Sequence, residues 1–484
     1  MSGEALVRVD AGAVVGGLDR RVFGQFIEHL GRCIYGGIWV GEGSRIPNLR
    51  GFRSDVLEAV KRIAPPVVRW PGGNFASAYH WMDGVGPRAT RPRKFELAWE
   101  WVEPNEFGTV EYIEWCRLVG AEPFIVVNAG SGSPEEAAAW VEYCNSRGDT
   151  HYASLRRRDG FNEPFNVKLW GIGNELYGRW QVGFCVDGEE CARRTVEFAN
   201  LMKRVDKSIE LVGVGCDRDP EWNIDMVKIA GNYLDYLSVH TYIFCPKKYE
   251  DLLAAPLEIE RNLISIYESV RLAASKFGVS RKIKLAFDEW NVWYREAVPP
   301  MHVQFTSMKD AVFTGLVLVK LQKISRMVPV AALAQTVNVL PLISTSDEGA
   351  MVLSPQYYVF ELYAPNAGGK VAWTSVSGPT VYSEEAEGQV EAVDAVASFD
   401  GDKMFIHLVN GMPDEAVDCG IKVAGFDFKN VRHRYLASSS PDDRNTFEQP
   451  NIVVPREGQQ VRTANGEIKM SLPPCSVNLL TLYR

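Results

Sequence analysis

Between about residues 20 and 365, short apolar runs rich in β-branched and aromatic residues alternate with longer stretches whose apolar positions recur at helical spacing. The short runs are VFGQFIE at 22–28, PVVRW at 66–70, EPFIVVN at 122–128, VKLWGIGNE at 167–175, IELVGVGC at 209–216, YLSVHTY at 236–242, KIKLAFDE at 282–289 and VAALAQTVN at 330–338. The helical patterns between them include SDVLEAVKRIA, TVEYIEWCRLVG, SPEEAAAWVEYCNS, GEECARRTVEFANLMKRVD, EIERNLISIYESVRLAASKFG and TSMKDAVFTGLVLVKLQKIS. Strands that are apolar on both faces belong to a sheet covered on both sides, and eight β/α units predict a closed parallel (β/α)8 TIM barrel. A doubly wound open sheet is the alternative. Ser54 and Ser133 read as N-caps, the second with Pro134 at the first helical position and Glu136 completing a capping box. Gly120 and Gly278 fall where a helix end turns left-handed.

Near APNAGGK at 364–370 the period changes from helical to alternating. KVAWTSV, QVEAVDAVASF, KMFIHLVN, CGIKVAGF, VRHRYLA, NIVVP, EIKMSL and SVNLLTLYR, separated by Gly, Asp, Asn and Pro, predict an antiparallel β-sandwich. The opening EALVRVD has no place in a barrel and is expected to pair with that C-terminal sheet. The predicted division is therefore a barrel over 15–365 and a sandwich over 366–484, joined by a strand from 1–14.

Composition narrows the partners. At 484 residues, 46% hydrophobic and 23% charged, the chain has ample material for a core. A net charge of −9 argues against nucleic acid or an anionic membrane and suits a neutral ligand. No secretory leader and no apolar run of membrane-spanning length is visible. Nine scattered cysteines without a Cys-x-x-Cys pair read as reduced thiols of a cytoplasmic protein, although Cys185 and Cys191 are near enough in sequence to pair. Seven histidines show no ligand spacing, so neither a metal nor another cofactor is expected. GSGSP at 130–134 lacks the lysine of a phosphate loop, and no Gly-x-Ser-x-Gly elbow occurs.

The polar residues carry the chemistry. Glu28, Asn74, Asn128, Glu175, His240, Tyr242, Glu289, Gln335 and Asn338 all fall at or just past the C-terminal end of a predicted strand, the active-site face of a barrel. Glu175, in KLWGIGNELYG, and Glu289, in IKLAFDEWNVWY, each end an apolar run among Asn and Trp. A carboxylic acid and a carboxylate about 5–5.5 Å apart are the equipment of a retaining glycosidase. Glu175 is the expected acid/base, its pKa raised by Trp170, Tyr177, Trp180 and the second carboxylate, and Glu289 the expected nucleophile. By strand alternation Asp288 points away from Glu289 into a structural ion pair. Asn174 suits the hydroxyl beside the reacting carbon, Tyr242 suits holding Glu289, and His240 suits donating to Glu289 or to sugar. Glu28 suits accepting two sugar hydroxyls. The long segment from Pro71 to Gly108 offers Trp81 and Trp99 as faces for sugar stacking or as loop anchors.

These motifs resemble the family 51 glycoside hydrolases, typically α-L-arabinofuranosidases. The likeness runs through FIEHLGRCIYGGIWVGE, IPNLRGFRSDVLEA, RWPGGNFASAYHWMDGVGP, LAWEWVEPNEFG, VKLWGIGNELYG, the His-x-Tyr at 240–242, DEWNVWY, AQTVNVL and LPPCSVNLLTLY. It implies Glu175 as acid/base, Glu289 as nucleophile, and Glu28, Asn74, Asn174, Tyr242 and Gln335 as sugar contacts. It also implies a barrel plus β-sandwich and a homo-oligomer, often a hexamer. Leu176-Tyr177-Gly178-Arg179-Trp180 departs from the Met-Asp-Gly-Pro-Trp of many relatives, so aglycone preference carries over less securely than the furanose site. The expectation is a cytoplasmic, exo-acting, retaining enzyme for arabinan- or arabinoxylan-derived oligosaccharides. An endo-glucanase or xylosidase of the same family is the enzymic alternative, and an inactive sugar-binding protein the non-enzymic one.

Overall fold

The computed structural model describes residues 3–458, 461–464 and 466–484. Strand β1 (Glu4–Gly17) belongs to the C-terminal sheet and is followed by eight barrel strands: β2 (Gly24–Phe26), β3 (Val67–Trp70), β4 (Glu122–Val127), β5 (Leu169–Ile172), β6 (Glu210–Val214), β7 (Tyr236–Phe244), β8 (Lys284–Trp293) and β9 (Val330–Ala334). All neighbours pair in parallel and β9 closes on β2. Every predicted run forms its strand because its side chains are buried on both faces: the interior is filled by layers such as Val67, Phe124, Leu169, Val212 and Ala286.

Each strand is followed by a helix that buries one stripe against the sheet. Ser133 caps Pro134–Asn145 by accepting from the Glu136 N–H at 3.2 Å, while the Glu136 carboxylate bonds His80 instead of returning to the cap. Ser54 is itself the first helical residue, and Arg53 is the N-cap. The helix expected from Glu258 begins at Tyr249 and carries Pro256 within it. Three further helices, His151–Arg158, Pro220–Ala230 and Pro355–Tyr363, were not foreseen.

The C-terminal strands form one ten-stranded sheet in which β1 runs antiparallel to Lys370–Ser377 and parallel to Val417–Ala424. Val7 and Val9 of β1 share a core with Ile406, Leu408, Leu480 and Leu482, so the sheet is folded over itself as a sandwich. Two expected strands differ. QVEAVDAVASF is split between a hairpin strand, Gly388–Glu391, and Val393–Asp400. NIVVP forms no strand, because the Asn445 side chain occupies both the N–H and the carbonyl of Val453, at 2.8 and 2.9 Å. Lys320 and Lys323, at the end of Met308–Lys323, clamp the buried Asp394 of the sandwich onto the barrel.

Candidate active site

The C-terminal mouth of the barrel holds a cavity of about 560 Å³ lined by Glu28, Asn74, Trp99, Glu175, His240, Tyr242, Glu289 and Gln335 together with aromatic, apolar and further charged residues. Asn174, the remaining residue expected at the site, is buried and reaches the lining through its bond to Asn74. Glu175 leaves the end of β5 in the left-handed region, at φ +42°, a conformation costly for a residue with a side chain and concentrated at functional sites. Glu289 lies on β8 where pairing with β7 slips: Ser238 is opposite Ala286 but His240 is opposite Glu289. Across the other edge the register slips between Phe287 and Trp290. β8 therefore carries a bulge with one extra residue.

The bulge corrects the alternation argument for Asp288. Asp288 does hold an ion pair, but it is turned into the same cluster as Glu289. Arg69 spans both: its Nε lies 3.0 Å from Asp288 Oδ2, its Nη1 donates to Glu289 Oε1 at 2.7 Å, and its Nη2 donates to Asn174 Oδ1 at 2.7 Å. Tyr242 donates to the other Glu289 oxygen at 2.7 Å. His240 Nδ1 sits 2.9 Å from Glu175 Oε1 and 3.7 Å from Glu289 Oε1, so its closer partner is the expected acid and not the nucleophile. Its Nε2 faces Ser238 Oγ at 2.9 Å, and Ser238 donates to Asp288 at 2.6 Å. One oxygen of each glutamate and a nitrogen of His240 lie within 4.8 Å of one another.

Glu28 forms a second node. Oε1 accepts from the Phe75 N–H and from the Trp99 indole, both at 3.1 Å, and Oε2 accepts from Gln335 Nε2 at 2.9 Å, which leaves Gln335 Oε1 buried without a partner. Asn74 accepts from Gln181 Nε2 and from Asn174 Nδ2. Gly72 and Gly73 make this convergence possible: a Cβ on Gly72 would stand 2.5 Å from Glu28 Cγ, and one on Gly73 2.8 Å from Glu289 Oε1.

The charges are dry and interdependent. Burial pushes the Glu175 carboxyl up, but the hydrogen bond and charge of His240, with smaller help from Trp180 and Arg69, outweigh it, and the net direction is down. That is opposite to the direction expected from burial and the neighbouring carboxylate alone, because a cation stands between the two acids. Burial lowers His240, yet the charges of Glu289 and Asp288 and the bond to Glu175 carry it up to about 10. Glu28 is raised to about 7 by burial and by the charge of Glu289.

Other expectations resolve differently. Asn128 and Asn338 hold loops: Asn128 accepts from Gly130 and Ser131, and Asn338 bonds Thr345 and Arg32. Trp81 is a loop anchor stacked on Trp140 at 5.8 Å, whereas Trp99 lines the cavity. Cys185 and Cys191 are separate buried thiols. Arg69 and His302 were missed. Arg69 was legible as a lone cation inside the apolar PVVRW, which requires buried partners; His302 lies in an irregular loop with no such signal. Among the described residues Glu175, His240 and Glu289 form the set near enough to share a metal ion. Their facing atoms are already engaged with one another, Arg69 and Tyr242, and Arg69 supplies the positive charge a metal would bring.

Comparison with known proteins gives the family. The family description "Alpha-L-arabinofuranosidase 1 domain" matches residues 59–252 and "Alpha-L-arabinofuranosidase C-terminal domain" matches 288–476. An intracellular exo-α-L-arabinofuranosidase of Bacteroides ovatus is 34% identical over 98% of this chain and 95% of its own. The α-L-arabinofuranosidase of Thermotoga maritima, solved with arabinose, is 41% identical with a TM-score of 0.91 and full coverage of both chains. A family 51 enzyme from Bifidobacterium longum superposes with a TM-score of 0.94 at 31% identity, again over both whole chains.

Proposed function

The chain belongs to the family 51 glycoside hydrolases, the α-L-arabinofuranosidases, and from that membership we propose an intracellular exo-acting enzyme that releases terminal α-L-arabinofuranosyl residues from oligosaccharides by retaining double displacement. The observation that carries the mechanism is the approach of Glu175 and Glu289 within 4.8 Å, with Arg69 and Tyr242 each donating to one oxygen of Glu289. That gap admits an anomeric carbon and leaves no room for a water on the attacking side.

In this reading a Glu289 oxygen attacks the anomeric carbon, the bond to the leaving oxygen breaks, and Glu175 gives that oxygen its proton. Glu175 then takes a proton from water, which displaces Glu289 and releases arabinose. The proton comes from the pair Glu175 makes with His240. Without substrate the pair is charge-separated, with the proton on His240. A sugar that covers Glu175 removes the little solvation its carboxylate has, and the proton moves across 2.9 Å to Glu175. Trp180, 64% exposed with its indole 3.3 Å from Glu175 Oε2, stands where the leaving group departs.

Two variants test the roles. Glu289→Ala is expected to abolish turnover of a chromogenic arabinofuranoside. Glu175→Ala is expected to keep far more activity on phenols that leave readily than on sugar aglycones, since the former need little protonation. Equal losses on good and poor leaving groups remove Glu175 from the acid role. Release of free pentose without a fall in polymer viscosity separates exo from endo action.

A further inference from the structure

His302 has no part in the machinery above, yet it stands in the wall of the same cavity. It comes from the loop that follows β8 and is 2% exposed. Its ring is wedged edge-on between two indoles, 5.3 Å from Trp99 at 72° and 5.4 Å from Trp293 at 81°. The backbone is held there at φ +49°, with the His302 N–H donating to the Val298 carbonyl at 2.9 Å and the Leu340 N–H donating to the His302 carbonyl at 3.1 Å. Burial keeps the imidazole below its ordinary pKa and outweighs the opposing pull of the Pro300 carbonyl, so the ring is uncharged.

Packing alone does not account for this residue. Buried polar atoms in folded proteins find partners, and His302 Nδ1 makes no well-formed hydrogen bond, the Pro300 carbonyl exerting only a weak pull on the ring. An aromatic hydrocarbon would fill the gap between two indoles without that loss. Its neighbours locate it within the site. Trp99, one side of the wedge, bonds Glu28 through its indole nitrogen, so His302 stands on the Glu28 side of the cavity. Trp180, which bonds Glu175, lines the same cavity.

We propose that His302 is a substrate-binding, specificity-determining residue whose imidazole hydrogen bonds a hydroxyl of the non-reducing terminal furanosyl ring. With Trp99 it forms the wall that the terminal sugar meets. The proposal rests on the glycosidase reading of the cavity and assigns to it a contact that neither carboxylate supplies.

The test uses His302→Phe, which keeps a ring without polar atoms, and His302→Gln, which keeps hydrogen-bonding groups. Each is measured for kcat and KM on p-nitrophenyl α-L-arabinofuranoside, for L-arabinose binding through tryptophan fluorescence, and for Tm. His302→Phe is expected to lower kcat/KM by about 10- to 100-fold and to weaken L-arabinose binding, the scale of one lost buried hydrogen bond. His302→Gln is expected to recover most of that loss at a similar Tm. Phe within two-fold of the parent overturns the proposal. So does an equal loss in both variants that tracks a fall in Tm, which marks a packing residue. If the parent protein turns over no arabinofuranoside, the glycosidase reading fails by itself, and unchanged L-arabinose binding across the variants then overturns the role of His302.

Discussion

The barrel carries a cluster of charges at each end, and the two are built on different terms. At the N-terminal end Arg21 pairs with Asp19 at 2.8 Å and Glu210 at 3.2 Å, and Tyr236 donates to Glu210 at 3.0 Å. Water reaches all of it: the side chains of Asp19, Glu122 and Glu210 are 31–40% exposed. At the C-terminal end Arg69, Asp288, Glu289 and His240 have side chains no more than 7% exposed. Solvent screens the first set, so each pair is worth about 0–1 kcal/mol. In the second, every charge depends on its partners for solvation. The lower cluster links strand starts across the barrel floor; the upper one keeps carboxylates and their cations out of water beside the cavity.

Arg69 separates the two most sharply. Arg69→Met leaves Asp288 and Glu289 buried without their main cation, and a loss of about 3–5 kcal/mol is expected in urea unfolding, with turnover gone. Arg21→Met at the other end is expected to cost about 1 kcal/mol and to leave kcat/KM within a few-fold. Similar losses at both ends would mean that burial does not distinguish the clusters.

That contrast also explains what the sequence discloses. The eight strands are legible because continuous apolar runs mean burial on both faces, and Glu28, Glu175, Glu289 and Gln335 stand out as polar interruptions at their ends. The pairing of those groups is not legible. The bulge between Phe287 and Trp290 turns Asp288 toward Arg69, and no alternation rule on one strand foresees a slip defined by its neighbours. The charge on His240 depends on three acids from two other strands, so a reading of Glu175 from its local Trp and Tyr neighbours gets its direction wrong. Pro256 inside a helix and Val453 held by an asparagine side chain are tertiary decisions of the same kind.

His240 gives the upper cluster a pH dependence. Its folded pKa of about 10 lies above the ordinary 6.5, so the folded protein holds a proton that the unfolded chain releases. The stability it contributes is fully present below about pH 6.5 and is lost as pH rises through about 10. His240→Asn is expected to flatten unfolding free energy over that window and to cut kcat/KM most on sugar aglycones, which need the delivered proton. An unchanged alkaline slope would mean that the imidazole is neutral in the folded state.

Glu28 gives the finest test, because it borders the upper cluster without a direct cation. Its pKa of about 7 lies above the ordinary 4.5, so the folded state favours its protonated form, and stability falls as pH rises from about 4.5 through 7. The sign is opposite to that of a carboxylate held by a full ion pair, such as Asp288, whose pKa is lowered because Arg69 and then His240 outweigh its burial. Glu28→Gln keeps the acceptor toward Phe75 and Trp99 and is expected to remove that slope. It should also move the acidic limb of kcat/KM downward, because the ionised carboxylate no longer has to form before sugar hydroxyls can bind. If the limb stays near pH 7 in this variant, another group sets it. Glu28 would then be ionised well below pH 7 in spite of its burial and the charge of Glu289, and dryness alone would not be the property that sets the mouth of the barrel apart from its floor.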